Sequence, residues 1–252
     1  MRLTLIRHAT LRLELGGRTL MVDPMLDPPG ARGPVRGTPN ERPNPLVPLP
    51  LPLEQAVAGV EAVLLTHTHV DHVDAAGVTG VPAGVPWFCQ PADVADLGDV
   101  GLELRPVPHG ASVDWAGLRI TAVGGRHGRD EALAQALGPV TGWVVAADGE
   151  PTVYVAGDTV WCPEVAGAIA RHAPAVVVVN AGGARFVEGR PVTMTGEDVI
   201  EVCHAAGDAR VVAVHMEAIN HCLETRAELS ARIDGAGLAE HVVIPADGET
   251  VV

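Results

Sequence analysis

The chain is 252 residues long, enough for one large domain or two small ones around a substantial core. It carries 31 acidic and 17 basic side chains, a formal net charge of -14, so its overall field repels nucleic-acid backbones and anionic membranes. The amino terminus alternates like a strand instead of resembling a secretion signal, and no apolar run reaches the roughly 20 residues that span a bilayer. We therefore expect a cytoplasmic protein with a small-molecule substrate and no nucleic-acid or membrane partner, and leave association into a homo-oligomer open.

The chain begins with a predicted meander of short strands. Apolar alternation predicts strands at 3–6, 11–15 and 19–22, and the Gly16-Gly17 pair predicts a two-residue hairpin turn between the last two. Nine prolines then occupy residues 27–52, which excludes a regular helix or a central strand there. We interpret this proline-rich segment as a lid or rim of a functional site.

A dense group of metal-binding residue types follows the next predicted strand, 61–65. The pattern is His67-x-His69-x-Asp71-His72. Side chains alternate faces along a strand, so His67 and His69 point the same way at its end, and Asp71 and His72 fall on the turn beyond. A scattered histidine is usually a surface or core residue. The four together offer ligands for two adjacent cations.

Further polar residues follow later predicted strands at their carboxyl ends. His127 follows the strand 118–123, and Asp158 follows a hairpin whose Asp148-Gly149 pair predicts a type I′ turn. Buried strands at 175–179 and 211–214 end at Asn180 and His215. If these strands form a sheet sandwich, the polar residues converge on one of its edges.

Helix signals separate these strands. Pro163 predicts the first turn of one helix, and Thr195 and Thr225 predict the N-caps of two more. The order strand, histidine loop, hairpin, strand ending in aspartate occurs in both parts of the chain. It indicates two related halves, about 1–116 and 117–252.

The ordered polar residues resemble the ligand set of the metallo-β-lactamase fold superfamily: His67, His69, Asp71, His72, His127, Asp158 and His215. Residues 7–10, the glycine hairpin and Asp23-Pro24 resemble the branch that contains L-ascorbate-6-phosphate lactonase and N-acyl-phosphatidylethanolamine phospholipase D. The resemblance implies an α/β fold, a four-layer αββα sandwich of the metallo-β-lactamase type, as a single domain over 1–252. It implies one metal held by His67, His69 and His127. The other metal would be held by Asp71, His72 and His215, with Asp158 bridging.

The ligand types predict the chemistry of such a site. Imidazole and carboxylate ligands suit Zn²⁺, and the oxygen-rich second position would also accept Mn²⁺ or Fe²⁺. A water molecule that bridges two cations loses its proton near neutral pH and becomes a hydroxide nucleophile. Asp71 would orient that nucleophile, and His221 is the candidate proton donor to the leaving group.

Residues on the neighbouring loops are the candidates for substrate binding: His8, Arg126, Asn180, Arg185 and Asn220. The related branch often has a histidine before the helix at Thr195, whereas this chain has none at 191–194. The leading hypothesis is a dinuclear metal-dependent hydrolase of a small ester, lactone or phosphoester. A phosphodiesterase or nuclease, and a non-catalytic metal-binding regulatory module, are the alternatives.

Overall fold

The computed structural model describes residues 1–98 and 100–252, and its strands form two sheets that follow the order of the chain. The first sheet contains six strands in sequence order: β1 (Arg2–Arg7), β2 (Thr10–Leu15), β3 (Arg18–Val22), β4 (Ala62–Leu64), β5 (Pro86–Cys89) and β6 (Glu103–Pro106). The second contains seven: β7 (Ser112–Trp115), β8 (Leu118–Gly124), β9 (Thr141–Ala147), β10 (Val153–Val155), β11 (Val176–Asn180), β12 (Arg210–Val214) and β13 (Val242–Val243). The chain therefore passes from one sheet to the other between Pro106 and Ser112, earlier than the expected division at residue 116.

The two sheets repeat one pairing scheme. In the first, β1, β2 and β3 pair antiparallel, and β3 to β6 pair parallel. In the second, β7 to β10 pair antiparallel, and β10 to β13 pair parallel. Parallel neighbours need crossover connections, which the helices provide. As a result, β1, β3 and β4 run in the same direction in the first sheet, and β8, β10, β11 and β12 run in the same direction in the second. The carboxyl ends of these strands lie at a common edge of the two sheets.

The described part of the chain contains seven α-helices: α1 (Leu53–Ala56), α2 (Ala75–Gly80), α3 (Val94–Leu97), α4 (Glu131–Leu137), α5 (Pro163–His172), α6 (Gly196–Ala206) and α7 (Arg226–Gly235). Pro163 occupies the first turn of α5, and Thr195 and Thr225 form capping boxes, as predicted. No helix within residues 1–98 and 100–252 has the length and hydrophobicity to cross a membrane.

Three apolar clusters define the layers. One lies between the sheets and joins Leu11, Leu13 and Leu15 of β2 to residues of the second sheet such as Trp143. A second packs α5, α6 and α7 on the outer face of the second sheet, and a third packs α1 to α3 on the first. Burial of these alternating faces accounts for the four layers. The predicted αββα sandwich is confirmed.

The two predicted hairpin turns differ in outcome. Gly16 and Gly17 both have positive φ, +58° and +71°, and Leu15 pairs with Arg18 across the turn, as a two-residue hairpin requires. At Asp148-Gly149 only the glycine has positive φ, and the amide of Glu150 donates to the carbonyl of Ala147. The predicted type I′ turn is therefore wrong. Pro151 follows and restricts the residue before it, so β10 begins only at Val153.

Asp93, which follows β5, is a buried carboxyl group with a raised pKa. Its Oδ1 accepts a bond from Gln90 Nε2 at 3.0 Å, while Oδ2 has no partner among the described residues. Burial raises the pKa of Asp93 from 3.8 to about 7. Between these values the folded chain retains a proton that the unfolded chain has lost, so stability falls as pH rises and is constant above the folded-state pKa.

Asp93→Asn removes this titration. We expect the substitution to raise the free energy of unfolding by about 2–4 kcal/mol more at about pH 8 than at about pH 4. Urea denaturation at the two pH values measures the difference. An equal effect at both would mean that Asp93 does not titrate in this range.

Candidate metal centre

Seven side chains from four strand ends meet at one edge of the sandwich. His67, His69, Asp71 and His72 follow β4, and the other three follow β8, β10 and β12: His127, Asp158 and His215. All of them except His69 are buried. The structure thus brings together every residue that the sequence suggested as a metal ligand.

The imidazoles divide into two groups around Asp158. In the first group His67 Nε2 lies 2.9 Å from His69 Nδ1, and His127 Nε2 lies 3.3 Å from the same atom. In the second group His215 Nε2 lies 3.2 Å from His72 Nε2. Asp158 faces both groups, because its Oδ1 is 3.2 Å from His215 Nε2 and its Oδ2 is 3.7 Å from His127 Nε2. This is the placement that a bridging carboxylate needs.

The unsatisfied atoms of the centre fit a cation. Oδ2 of Asp71 is buried without a hydrogen-bond partner among the described residues. It lies 3.6 Å from His8 Nε2, 3.7 Å from His215 Nε2 and 3.8 Å from His221 Nε2. These separations are too long for hydrogen bonds but match ligand atoms that share one ion at about 2.0–2.2 Å each. The nitrogen and oxygen donors suit Zn²⁺ and neighbouring transition metals.

The environment holds most ligands in the protonation state that binds metal. Burial lowers the pKa of His67 well below its usual value and that of His127 to about 4, so both rings are neutral at pH 7. Burial alone would raise the pKa of Asp158, but the charges of His215 and His72 outweigh it and hold the pKa well below the usual range. For His72, burial is outweighed by Asp158 and Asp23, which raise its pKa. Metal binding would therefore release the His72 proton.

A second set of hydrogen bonds orients the ligands. Asp23 accepts two hydrogen bonds from Thr66: its Oδ1 lies 2.8 Å from the backbone amide, and its Oδ2 lies 2.8 Å from the side-chain hydroxyl. The same Oδ2 lies 2.7 Å from His72 Nδ1. His127 Nδ1 lies 2.9 Å from the carbonyl oxygen of Val192. Each contact fixes a ring so that its other nitrogen faces the centre.

Asp23→Asn should weaken metal binding without unfolding the sandwich. Loss of an outer-shell carboxylate typically costs about 10–100-fold in metal affinity, and we expect a reduction in that range. Competition with a chelating dye measures it. Asp114→Asn on the exposed strand β7 is the matched control and should leave affinity unchanged. Equal metal affinities for the unsubstituted protein, Asp23→Asn and Asp114→Asn would show that Asp23 does not contribute to metal binding.

Backbone conformation adds to the evidence for a functional site. His8, Asp23 and His215 have positive φ values of +61°, +45° and +68°, a region that non-glycine residues rarely adopt. The amide of His215 donates to the carbonyl of His8 at 2.9 Å. Gly182 packs so closely that an added Cβ would lie 2.1 Å from the carbonyl oxygen of His215. Such strain is typical of functional sites, where the surrounding structure maintains it.

Three of the residues suggested for substrate binding lie behind or beside the ligands. His8 is fully buried, and its ring stacks on that of His215 with centroids 3.6 Å apart. Asn180 Nδ2 donates to Asp158 Oδ1 at 2.6 Å and so orients the central carboxylate. Asn180 is therefore placed to act on a ligand, and His8 is itself a possible ligand, because its ligand atom and those of Asp71, His72 and His215 lie within 4.8 Å of one another. Arg126 is beside His127 at the rim and pairs with Glu131 at 2.9 Å.

The other two residues suggested for substrate binding, Asn220 and Arg185, have surroundings that differ from those expected of such residues. Asn220 is fully buried, and its amide bonds to the proline-rich segment through Val35 and Asn44, because that loop has many backbone groups to satisfy. Arg185 is exposed and lines a separate cleft with Glu224. His221, the candidate proton donor, does lie at the centre, with Nδ1 free of hydrogen-bond partners in the described structure.

A cavity of about 270 Å³ opens onto the centre. We call it the active-site cavity; it is lined by Val35, Thr68, His69, Val70, Asp71, His127, Leu137, Asp158, Phe186, Val192 and His221. The sequence did not indicate its apolar wall. One signal was available: Phe186 is one of two phenylalanines in the chain and lies on a polar, glycine-containing loop.

Comparison with known proteins agrees with the fold. A family model described as a beta-lactamase superfamily domain matches residues 18–216. The UPF0173 protein YddR of Bacillus subtilis is 34% identical over 99% of both chains. A UPF0173 metal-dependent hydrolase of Xanthobacter autotrophicus is 30% identical over 81% of this chain and 83% of its own.

Two solved structures resemble the chain over its whole length. An isothiocyanate hydrolase from Delia radicum gut bacteria is 38% identical, with a TM-score of 0.93, covering 100% of this chain and 99% of that one. A possible metal-dependent hydrolase from Veillonella parvula is 33% identical, with a TM-score of 0.95, covering 100% and 98%. The chain therefore belongs to the beta-lactamase superfamily and, within it, to the UPF0173 family of metal-dependent hydrolases.

Proposed function

We propose that this protein is a dinuclear hydrolase that opens a small ester, lactone or phosphoester with a hydroxide held between two metal ions. The observation that carries the proposal is that Asp158 lies between two sets of possible ligands. One set is His67, His69 and His127, and the other is Asp71, His72 and His215 together with His8. A site for one ion would need only three or four of these ligands. The two ions are proposed to be Zn²⁺, with Mn²⁺ or Fe²⁺ as alternatives at the second position.

Two ions would lower the pKa of a water molecule between them and so supply a nucleophile near neutral pH. The protein's own residues would do the rest. Asp71, whose pKa is held low by His215 and His8 against the effect of burial, stays ionised and can orient the attacking oxygen. His221 lies 3.8 Å from Asp71 Oδ2 and faces the active-site cavity, where it can donate a proton to the departing oxygen.

For an ester the proposed step adds one water molecule across one bond. The water oxygen bonds to the carbonyl carbon, the carbon–oxygen bond to the leaving group breaks, and an acid and an alcohol result. We propose that Arg126 contacts the substrate at the rim. His8, Asn180 and Asn220 would support the step indirectly, by holding the centre and its neighbouring loop in position. Phosphodiester or nucleic-acid cleavage and metal-dependent regulation without catalysis remain the alternative functions, and the net charge of -14 disfavours a nucleic-acid substrate.

Isothiocyanate hydrolysis is a second candidate. The relative with that activity in its name matches this chain from end to end at 38% identity. An isothiocyanate also presents an electrophilic carbon to a hydroxide, so the same centre would serve.

A substrate panel tests the proposal. Protein loaded with Zn²⁺ is assayed with lactones, esters, thioesters, isothiocyanates and phosphodiesters, and the Asp71→Ala variant is assayed beside it. We expect turnover of at least one carbon electrophile and its loss in the variant. If every substrate in the panel reacts only at the uncatalysed background rate while both metal positions are filled, the result would favour the alternative of metal-dependent regulation without catalysis.

A further inference from the structure

The lining of the active-site cavity is partly polar and partly apolar. Metal-binding side chains contribute to it, among them His69, His127 and Asp158. Five other lining residues have hydrocarbon side chains, and we call them the apolar wall: Val35, Val70, Leu137, Phe186 and Val192. We infer that this cavity selects uncharged substrates carrying a short hydrocarbon group, with Val35 and Phe186 contacting that group; the inference rests on the hydrolase function proposed above.

The charge around the cavity supports this choice of substrate. The sequence contains no lysine, and none of its arginines is among the described residues that line the cavity; Arg126, at the rim, is paired with Glu131. Asp71 and Asp158 add negative charge beside the metal positions. Two metal ions would attract anions of any kind, so discrimination between charged and uncharged substrates must come from the residues of the apolar wall. A phosphoester carries further negative oxygens that would meet valine and phenylalanine instead of the arginine or lysine that phosphate recognition uses.

The proline-rich segment is fixed where it supplies Val35. Asn220 Oδ1 accepts from the amide of Val35 at 3.0 Å and from Asn44 Nδ2 at 2.6 Å, and its Nδ2 donates to Thr38 Oγ1 at 2.7 Å. Arg7 on β1 fastens both ends of the segment, donating to the carbonyls of Asp27 at 3.0 Å and Val47 at 3.1 Å. Buried hydrogen bonds of this kind hold a loop in one conformation.

The same segment fixes the loop that supplies Phe186. The amide of Val187 donates to the carbonyl of Gly37 at 2.8 Å, and the amide of Arg185 donates to the carbonyl of His221 at 3.1 Å. Val35 and Phe186 are therefore held relative to each other and to His221. The wall is preformed, which reduces the ordering cost of binding.

The size of the cavity sets the size of the group. A cavity of about 150 Å³ is enough for benzene. At about 270 Å³ the active-site cavity can hold a phenyl ring or a short alkyl chain together with the reacting group. Burial of each added methylene against the wall should raise kcat/KM about fourfold until the cavity is full.

A series of para-nitrophenyl esters tests the selection by rate. We expect kcat/KM to rise from acetate to butyrate by about tenfold or more, and the phosphate monoester to react at least about a hundredfold more slowly than the butyrate. Phe186→Ala should reduce the butyrate preference, whereas Val187→Ala, whose side chain is 69% exposed and absent from the cavity wall, should preserve it. An unchanged preference in Phe186→Ala and in Val35→Ala would overturn the assignment of the wall.

A binding measurement tests the proposed selectivity of the cavity independently of the proposed hydrolase function. Calorimetry of Zn²⁺-loaded protein with acetohydroxamate, butyrohydroxamate and inorganic phosphate needs no turnover. We expect butyrohydroxamate to bind most tightly, with the gain over acetohydroxamate lost in Phe186→Ala. Phosphate binding more tightly than either, without a chain-length effect, contradicts the inference whatever the enzyme hydrolyses. A chain-length effect without turnover of any ester or isothiocyanate supports the wall and counts against the proposed reaction alone.

Discussion

Asp158→Asn is expected to lower kcat/KM by at least about a thousandfold and to reduce the bound metal. Asparagine has nearly the same size but carries no charge, so it cannot neutralise two adjacent cations. Asp158 lies between both imidazole groups, and Asn180 already donates to its Oδ1 at 2.6 Å. An amide nitrogen at that position would face the Asn180 amide group as a second donor. Both metal positions should therefore weaken together.

The measurement pairs steady-state kinetics with metal analysis of the same preparation. Asp148→Asn, in the exposed turn before β10, makes the same chemical change far from the centre and should behave like the unsubstituted protein. Unfolding by urea checks that both variants remain folded. A variant at 158 that keeps full metal content and activity would exclude a bridging role.

His221→Gln is expected to give the second large effect, on kcat and not on metal content. A general acid typically contributes about 10²–10⁴-fold, and we expect a loss in this range for substrates with a poor leaving group such as an alkoxide. A para-nitrophenolate leaves without a proton, so its esters should be little affected. Burial lowers the pKa of His221, so the ring must take up its proton during turnover, for example from the attacking water.

The dependence on the leaving group distinguishes proton donation from a structural role. His204→Gln on the exposed face of α6 is the matched control. Loss of activity that is uniform across leaving groups, or accompanied by loss of metal, would assign His221 to metal binding or to packing. Its Nε2 lies only 3.8 Å from Asp71 Oδ2, so the experiment is needed to separate these roles.

The sequence could place the candidate ligands at one edge because they follow short apolar strands, with His67, His127, Asp158 and His215 within three residues of a strand end. Their assignment to two metal positions came from the family resemblance. The fold class was implied by the resemblance to the metallo-β-lactamase superfamily and is confirmed by the two sheets and their helical layers. The resemblance to the lactonase and phospholipase branch stays a prediction.

The cavity wall and the loop contacts could not be predicted in this way. Val35 lies in a segment without regular structure, and its position depends on Asn220, which is distant in sequence. Asn220 was expected at the substrate because it flanks a ligand loop, but side-chain bonds to a distant backbone leave no trace in local sequence pattern. His8 was expected at the rim for the same reason, and its positive φ turns it into the interior behind Asp71.

The central claim is that two metal ions occupy this centre. Elemental analysis of protein purified without chelators measures it directly, with the metal-to-chain ratio as the result. The account predicts two transition-metal ions per chain, falling to fewer in Asp158→Asn. A ratio near zero in active protein, or a single ion whose amount is unaffected by that substitution, would contradict it.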